Sequence, residues 1–194
     1  QTYSQLRAMR ESRKNQVESY FEDARAEVGV VMDTVEILEQ EAFAKLQAVQ
    51  DLKKDEVERY FRDNPAARAS MQPGGAVHRN MNAIVGTRSG MGTTGESYVM
   101  SLSGGRYHFR SDMKTMGDGK FVFGADVTDI ATEYIRAALR GESGQKVFSD
   151  SSGKLVMVNY DHLDIEGLNW ALFTKMDLEE AIAPALEGEQ NDYF

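Results

Sequence analysis

Cysteine is absent from this chain of 194 residues, and proline and tryptophan are scarce, with three copies and one copy respectively. Without a thiol, the chain forms no disulfide and offers neither a thiolate zinc site nor a cysteine nucleophile. Long hydrophobic runs are also missing, because no apolar stretch approaches the ~18 residues that a membrane-spanning helix needs. Gln1 and the run 188–194 are untypical of natural termini. We therefore expect a soluble piece of a longer protein, which reaches a membrane only through segments outside these residues.

Basic residues are the minority charge. The chain has 22 lysines and arginines against 31 aspartates and glutamates, for a formal net charge of −9. A nucleic-acid binder needs a basic face to displace counterions, and an anionic membrane surface attracts basic segments. We therefore expect neither nucleic acid nor an anionic lipid surface as a partner. The 41% hydrophobic content is ordinary for a globular protein of one or two domains.

Catalytic signatures are missing as well. The sequence has no G-x-S-x-G, no H-E-x-x-H and no G-x-x-x-x-G-K-(S/T) motif. His108 and His162 have no second residue at the spacing of metal ligands. We therefore expect no enzyme activity, no catalytic residue, no metal and no cofactor.

The first third of the chain has the pattern of one long helix. Residues 4–62 contain no proline and one glycine, and the Asn64-Pro65 step predicts the end of the helix. Apolar residues recur every 3.5 positions, which is the period of a coiled-coil seam. The seam consists of Val17, Phe21, Ala24, Val28, Val31, Val35, Leu38 and Ala42. Two interpretations remain open: the helix lies on its own domain, or it pairs with a second copy in a homodimer.

Composition divides the chain into four segments. The predicted segments are a helical region at 1–64, a connection at 65–95, a module at 96–183 and a truncated continuation at 184–194. Turn residues around Pro73 and a possible short helix at 76–85 fall in the connection.

Strand patterns dominate the module. Apolar or alternating runs bounded by turn residues predict five strands, at residues 97–103, 106–110, 145–149, 155–160 and 170–176. Helical spacing predicts a helix at 130–139, between the second and third strands, and a final helix from Leu178 with Asp177 as its cap. Because βαβ repeats are absent, the sheet is expected to be antiparallel. The fold class is α+β, a long N-terminal helix followed by a five-stranded antiparallel sheet with flanking helices.

Three segments of the module carry a family resemblance. Residues 92–100 read GTTGESYVM, residues 107–112 read YHFRSD and residues 160–170 read YDHLDIEGLNW. This series resembles Cache domains, the extracytoplasmic relatives of PAS sensor domains, which often read G-x-T-G-E-x-Y, R-S-D and Y-x-P-L-x-I-x-G-L-x-W. His162 stands where the family often has proline. The resemblance implies a PAS-like sheet and a small-molecule ligand held under the segment that follows the second strand.

Two charged residues are candidate ligand contacts. Arg110 ends the second predicted strand, where its guanidinium could hold a carboxylate through paired hydrogen bonds, and the R-S-D resemblance favours this role. The alternative is an exposed arginine or a pair with Asp112. Asp112 itself could recognise an amine. Asp150 could do so too, but its Asp-Ser-Ser-Gly context is ordinary turn chemistry.

Four residues are candidates for the pocket wall. Since neighbours on a strand face opposite sides, Tyr98, Met100, Phe148 and Tyr160 form the favoured set. The alternative for each is a plain core position. The two tyrosines are the better candidates, because a buried hydroxyl needs a hydrogen-bond partner.

The resemblance implies a function. Such regions are the periplasmic or extracytoplasmic sensory parts of bacterial transmembrane receptors, especially methyl-accepting chemotaxis receptors. Ligand binding would shift the sheet against the helices, which carry the change to the membrane. The alternative is a receptor module without a ligand, which binds a partner protein or acts as a spacer.

Overall fold

The computed structural model describes residues 2–115, 119–150 and 152–190. Parts of two predicted segments lie outside these ranges: residues 111–127, which follow the second strand and are expected to cover the ligand, and the continuation at 184–194. The chain divides into two compact units, Gln1–Gln40 and Glu41–Phe194. In the described part of the chain, no helix combines the length and the apolarity needed to cross a bilayer.

Four α-helices and five strands make up the described part of the chain. They are α1 (Thr2–Asp63), α2 (Ala76–Val85), β1 (Glu96–Ser103), β2 (Arg106–Phe109), α3 (Glu133–Leu139), β3 (Gly144–Ser149), β4 (Leu155–Ile165), β5 (Leu168–Asp177) and α4 (Leu178–Gln190). Short 3-10 turns at Pro65–Ala69 and Thr128–Ile130 complete the order. α1 ends at Asp63, immediately before the Asn64-Pro65 step that predicts its end.

The five strands form one antiparallel sheet in the order β2-β1-β5-β4-β3. β1 and β2 are joined through Gly104 and Gly105, whose φ angles of 57° and 76° suit the two-residue hairpin turn. The helical insertion follows the second strand. The predicted α+β fold with a PAS-like antiparallel sheet is therefore confirmed.

Several element boundaries differ from the prediction. β4 continues to Ile165 and β5 begins at Leu168, because Gly167 with a φ of 77° closes a tight turn and keeps the two strands paired. α3 begins at Glu133 instead of Ile130, since the chain first makes the 3-10 turn at Thr128–Ile130. Arg110 lies one residue beyond the end of β2.

The sheet has two covered faces. On the first face, Val57 and Phe61 of α1 and Val77 and Met81 of α2 pack against apolar residues of β1, β4 and β5. We call this the helix face. On the second face, α3 and the segment 121–131 cover Tyr98, Phe173 and their apolar neighbours. We call this the cavity face.

A buried lysine joins three elements on the helix face. Lys53 of α1 is 6% exposed, and its ammonium donates to the carbonyl oxygens of Val85 and Thr87 at 2.8 and 2.7 Å. It also lies 3.1 Å from the Ser97 hydroxyl of β1, which is 3.0 Å from Thr174 of β5. Nearer the N-terminus of α1, the side-chain oxygen of Gln47 accepts a hydrogen bond from the Asn159 amide of β4 at 2.8 Å. Polar bonds therefore fix where α1 lies on the sheet.

Trp170 provides the first prediction. Its side chain is 2% exposed, and its ring meets Phe61 of α1 edge to face at 5.1 Å. Trp170→Ala should lower the free energy of unfolding by about 3–5 kcal/mol, since it removes a buried indole. Urea unfolding measures this. Leu52→Ala, at a position 69% exposed, should change the value by less than about 0.5 kcal/mol. Equal effects of the two variants would contradict the assigned packing.

Lys53 provides a pH prediction. Burial lowers its pKa from 10.5 to about 8, against the opposing charges of Glu56 and Glu96. Between about pH 8 and 10.5, the unfolded chain therefore holds a proton that the folded chain has lost, so stability from this group rises with pH. The rise should be up to about 3 kcal/mol and should be absent in Lys53→Met. The measurement is the difference in unfolding free energy between wild type and variant, at pH 7.5 and pH 10. A flat difference would refute the lowered pKa.

Candidate functional site

A cavity of about 800 Å³ lies on the cavity face. Its walls come from β1, β3, residues 109–115 and 121–135, and the junction of β5 with α4. Five aromatic side chains line it: Tyr98, Phe109, Phe121, Tyr134 and Phe148. This volume lies within the ~300–1,000 Å³ that is usual for small-molecule sites.

The aromatic rings of the cavity wall pack against one another. Tyr98 stacks on Phe173 at 5.1 Å, and Tyr134 stacks on Phe148 at 5.5 Å. The hydroxyls of Tyr98 and Tyr134 lie 3.4 Å apart. Burial, with the neighbouring Tyr134, raises the pKa of Tyr98 well above its usual value. The Tyr98 hydroxyl is therefore neutral at physiological pH, and one wall of the cavity is stiff and largely apolar.

Charged groups line the cavity at one end. The cations are Arg88, Lys154 and Lys175, and the carboxylates are Asp150 and Asp177. Lys154 lies 3.4 Å from Asp177. Within residues 2–115, 119–150 and 152–190, the Lys175 ammonium has neither an ion pair nor a hydrogen bond. Arg88 donates to the Thr93 carbonyl oxygen, so among the described residues Lys175 and Arg88 are the two lining cations without an ion pair.

Asp150 has the turn role that its sequence context favours. It accepts from the amide nitrogens of Ser152 and Lys154 at 2.8 and 3.0 Å, and from the Ser152 hydroxyl at 2.7 Å. These bonds lower the pKa of its carboxyl group. The turn holds Asp150 at the edge of the cavity.

Three of the six predicted contact residues line the cavity. Tyr98 and Met100 come from β1 and Phe148 comes from β3. Tyr160 is not among the lining side chains. Its ring lies 6.2 Å from Tyr134 and covers Gly144 on the neighbouring strand, where an added Cβ would lie 2.5 Å from the Tyr160 hydroxyl. Tyr160 therefore packs behind the cavity wall.

Arg110 and Asp112 lie towards the helix face instead. Arg110 donates to the Ser101 hydroxyl at 2.8 Å, and its guanidinium lies 5.6 Å from the centre of the Phe123 ring. It does not pair with Asp112, which was the alternative role, and its side chain does not line the cavity. The side chain is half-buried, because β2 has ended and the chain turns towards α2.

Asp112 organises a junction with α2. Its carboxylate lies 2.9 Å from His78 and accepts from Asn82 and from the Phe123 amide at 2.7 and 2.8 Å. The net effect of these bonds is to lower the pKa of Asp112, although its partial burial opposes this. The structure thus does not bring Arg110 and Asp112 into the cavity, and a ligand contact by either stays a prediction.

The motif at 92–95 has an internal partner that the sequence analysis missed. Glu180, in the first turn of α4, accepts from the Thr93 and Thr94 amides at 2.5 and 2.7 Å. It also accepts from both threonine hydroxyls. These four donors lower the pKa of Glu180 to about 2. We call residues 92–95 the threonine loop; Thr93 and Thr94 also line the cavity.

Several other lining residues were also missed. Tyr134 lies on the predicted helix of the insertion, and Lys175 lies two residues after Phe173 on β5. The period of two residues places Lys175 on the same face as Phe173, so strand alternation could have identified it. Among the described residues, no group of three or more His, Asp or Glu is arranged to hold a metal ion.

No family model and no curated protein sequence matches the chain. Among solved structures, the sensory domain of the Campylobacter jejuni chemoreceptor Tlp3 has a TM-score of 0.42 and 14% identity, over 76% of this chain and 64% of that one. The ligand-binding domain of the Pseudomonas aeruginosa chemoreceptor PctC, in complex with GABA, has a TM-score of 0.38 and 14% identity, over 77% and 63%.

A third similar structure is the extracellular domain of the histidine kinase mmHK1S-Z3. Its TM-score is 0.37 with 23% identity, over 49% of this chain and 34% of that one. This chain thus spans between 34% and 64% of the lengths of these three structures. Since all three TM-scores lie below 0.5, the likenesses assign no ligand to this chain. The strand order and the insertion after the second strand give the chain the PAS-like fold that the resemblance to Cache domains implies.

Proposed function

We propose that this chain is the extracytoplasmic ligand-sensing part of a bacterial transmembrane receptor, and that it acts without enzymatic chemistry. The observation that carries the proposal is the cavity of about 800 Å³ on the cavity face. A stiff aromatic wall and a few charged groups at one end are the usual composition of a small-molecule site. A receptor module without a ligand would instead be expected to fill this space with its own side chains.

The lining favours a metabolite that carries a carboxylate. Lys175 has no partner of opposite charge among the described residues, and Arg88 and Lys154 line the same cavity. A carboxylate placed there would gain charge-assisted hydrogen bonds, while its apolar body contacts Tyr98 and Phe148. The carboxylates of Asp150 and Asp177 also line the cavity and could bind an amine on the same ligand. This class includes amino acids and short carboxylates.

Signalling follows from the placement of β1. Tyr98 and Met100 of β1 line the cavity, whereas Ser97 of the same strand contacts Lys53 of α1. A ligand that favours one position of β1 also favours one position of α1. The ligand can shift this equilibrium only by its difference in affinity for the two states. In the intact receptor, helices would carry the change across the membrane.

A ligand screen tests the proposal. Thermal-shift assays on the wild-type chain should find a compound among amino acids, short carboxylates, amines and purines that raises the melting temperature, because binding to the folded state stabilises it. Calorimetry on the compound found should then show binding weaker by about tenfold or more in Phe148→Ala, since removing a ring that the ligand would bury costs about 1.5–3 kcal/mol.

The matched control is Leu155→Ala. Leu155 lies on the same β3–β4 hairpin, is 52% exposed and does not line the cavity. The Leu155→Ala variant should bind the compound as tightly as the wild type does. A compound that binds Phe148→Ala with full affinity lies elsewhere on the protein. A screen without any stabilising compound would favour the module without a ligand.

We also propose that the receptor is a homodimer paired along α1. In the unit Gln1–Gln40, the seam residues Val28 and Val35 are 58% and 45% exposed, and Phe21 is 61% exposed. Their 3.5-residue spacing is the period at which two helices supercoil around each other. The occupant of this exposed seam is therefore a second copy of α1. A seam of mostly valine and alanine pairs weakly, and tethering in a membrane raises the effective concentration.

The double variant Val28→Asp/Val35→Asp tests the pairing. Sedimentation equilibrium of the wild type at high concentration should show self-association, and the variant should stay monomeric because carboxylates would enter an apolar seam. Val30→Asp, at an exposed position outside the seam, is the control and should associate as the wild type does. A monomeric wild type at all concentrations, or unfolding of the sheet by the double variant, would refute pairing along this seam.

A further inference from the structure

The threonine loop is built around a carboxylate. Glu180 receives two backbone amides and two hydroxyls from Thr93 and Thr94, with distances of 2.5 and 2.9 Å from Thr93 and 2.7 Å from the Thr94 amide. Four donors that converge on one carboxylate saturate most of its hydrogen-bonding capacity. Since the loop carries no cation of its own, its recognition of the carboxylate depends on the direction of these donors.

The shape of the loop matches its occupant. Gly92 has a φ of 57°, and a Cβ added there would lie 2.2 Å from Oε1 of Glu180. Gly95 is equally confined, because an added Cβ would lie 2.1 Å from the Met91 carbonyl oxygen. A side chain at Gly92 would close the space that the carboxylate occupies, whereas one at Gly95 would collide with Met91 and Met176. Gly92 therefore keeps the donors open to a carboxylate group, and Gly95 allows the tight turn of the loop.

The threonine loop borders the proposed ligand site. Thr93 and Thr94 line the cavity together with Arg88 and Lys175. A metabolite carboxylate at this part of the cavity would lie beside these cations and beside the two residues that bind Glu180. Nothing in the chemistry of the loop distinguishes a glutamate carboxylate from that of a free ligand.

We propose that the carboxylate of the sensed metabolite competes with Glu180 for the threonine loop, so that ligand binding releases the first turn of α4. This inference rests on the proposed ligand-sensing function and adds to it the group that is recognised and the element that responds. No covalent step is involved: one carboxylate replaces another on the same four donors.

The first turn of α4 depends on this contact. The Asp177 amide, at the junction of β5 and α4, donates to the Thr94 hydroxyl at 3.1 Å. Pro184 lies inside α4 and has no N–H to donate to the carbonyl of Glu180, four residues earlier. The helix start thus lacks one of its own hydrogen bonds and is held by the side chain of Glu180. Displacing that side chain leaves the turn with weaker support.

Amide spectra of the ¹⁵N-labelled chain provide the test, with sodium acetate as the probe and sodium chloride at matched ionic strength as the blank. In Glu180→Ala, the Thr93 and Thr94 amide signals should shift saturably with acetate. In the wild type, the same shifts should need an acetate concentration at least about tenfold higher. The reason is that the Glu180 carboxylate is tethered to the loop and competes at a high effective concentration. Amide exchange at Ala181 and Ile182 in the wild type should accelerate as acetate saturates.

Three controls sharpen the test. Glu179→Ala removes the neighbouring exposed carboxylate and should behave as the wild type does. Acetamide, which has no charge, should leave the Thr93 and Thr94 signals of Glu180→Ala unchanged. Glu180→Gln keeps the shape of the side chain and should need an intermediate acetate concentration. If Glu180→Ala fails to fold, the comparison of Glu180→Gln with the wild type decides the question.

Two outcomes would overturn the inference. One is the absence of a saturable shift at Thr93 and Thr94 in the Glu180 variants, and the other is equal acetate affinity in these variants and the wild type. Both outcomes are distinct from failure of the proposed function. A metabolite could still bind against Phe148 without using the threonine loop. Conversely, acetate could bind the loop in a chain for which the ligand screen finds nothing.

Discussion

The ammonium group of Lys53 is the interaction on which the arrangement of the domain depends. It is bonded at once to the end of α2, through the Val85 and Thr87 carbonyls, and to β1, through the Ser97 hydroxyl. Removing any one of these groups leaves a buried polar partner unsatisfied, which is costly in a low-dielectric interior. Neither helix can therefore slide along the sheet independently of the other. The Lys53 ammonium thus links α1, α2 and β1, and the Gln47–Asn159 and Lys54–Asp161 contacts add to it between α1 and β4.

β1 connects the two faces because its side chains alternate. Tyr98 and Met100 point to the cavity face, and Ser97 and Val99 point to the helix face. Because β1 contacts both the cavity and the helices directly, a displacement of this strand by about an ångström also displaces the helix contacts. No chain of intermediate side chains is needed. The centre of the sheet is thus both the floor of the cavity and the support of α1. Coupling between the faces needs only a strand that has two stable positions.

Local patterns explain why the sheet was predictable and why part of the site was not. Strand alternation places Tyr98 correctly, because its direction is fixed by the backbone and by the hairpin glycines. Strand alternation does not predict the side-chain directions of Arg110 and Asp112, because both follow the end of β2. Their positions depend on the contact of this segment with α2. The last part of β4, residues 161–165, looks too polar for a strand. These residues form a strand because they pair with β5 and because Asp161 binds Lys54 of α1 at 3.0 Å. Neither contact can be inferred from the sequence around residues 161–165.

Gln50 shows that the contact between α1 and the sheet is not built for maximum stability. Its side chain is fully buried, and within the described residues neither its amide nitrogen nor its oxygen has a hydrogen-bond partner. An orphaned buried amide costs about 1–3 kcal/mol, which a leucine of similar size would avoid. The buried amide of Gln50 therefore makes this packing of α1 less stable than an apolar side chain of the same size would. The smaller the free-energy gap between two packings of a helix, the smaller the difference in affinity with which a ligand can shift the equilibrium between them.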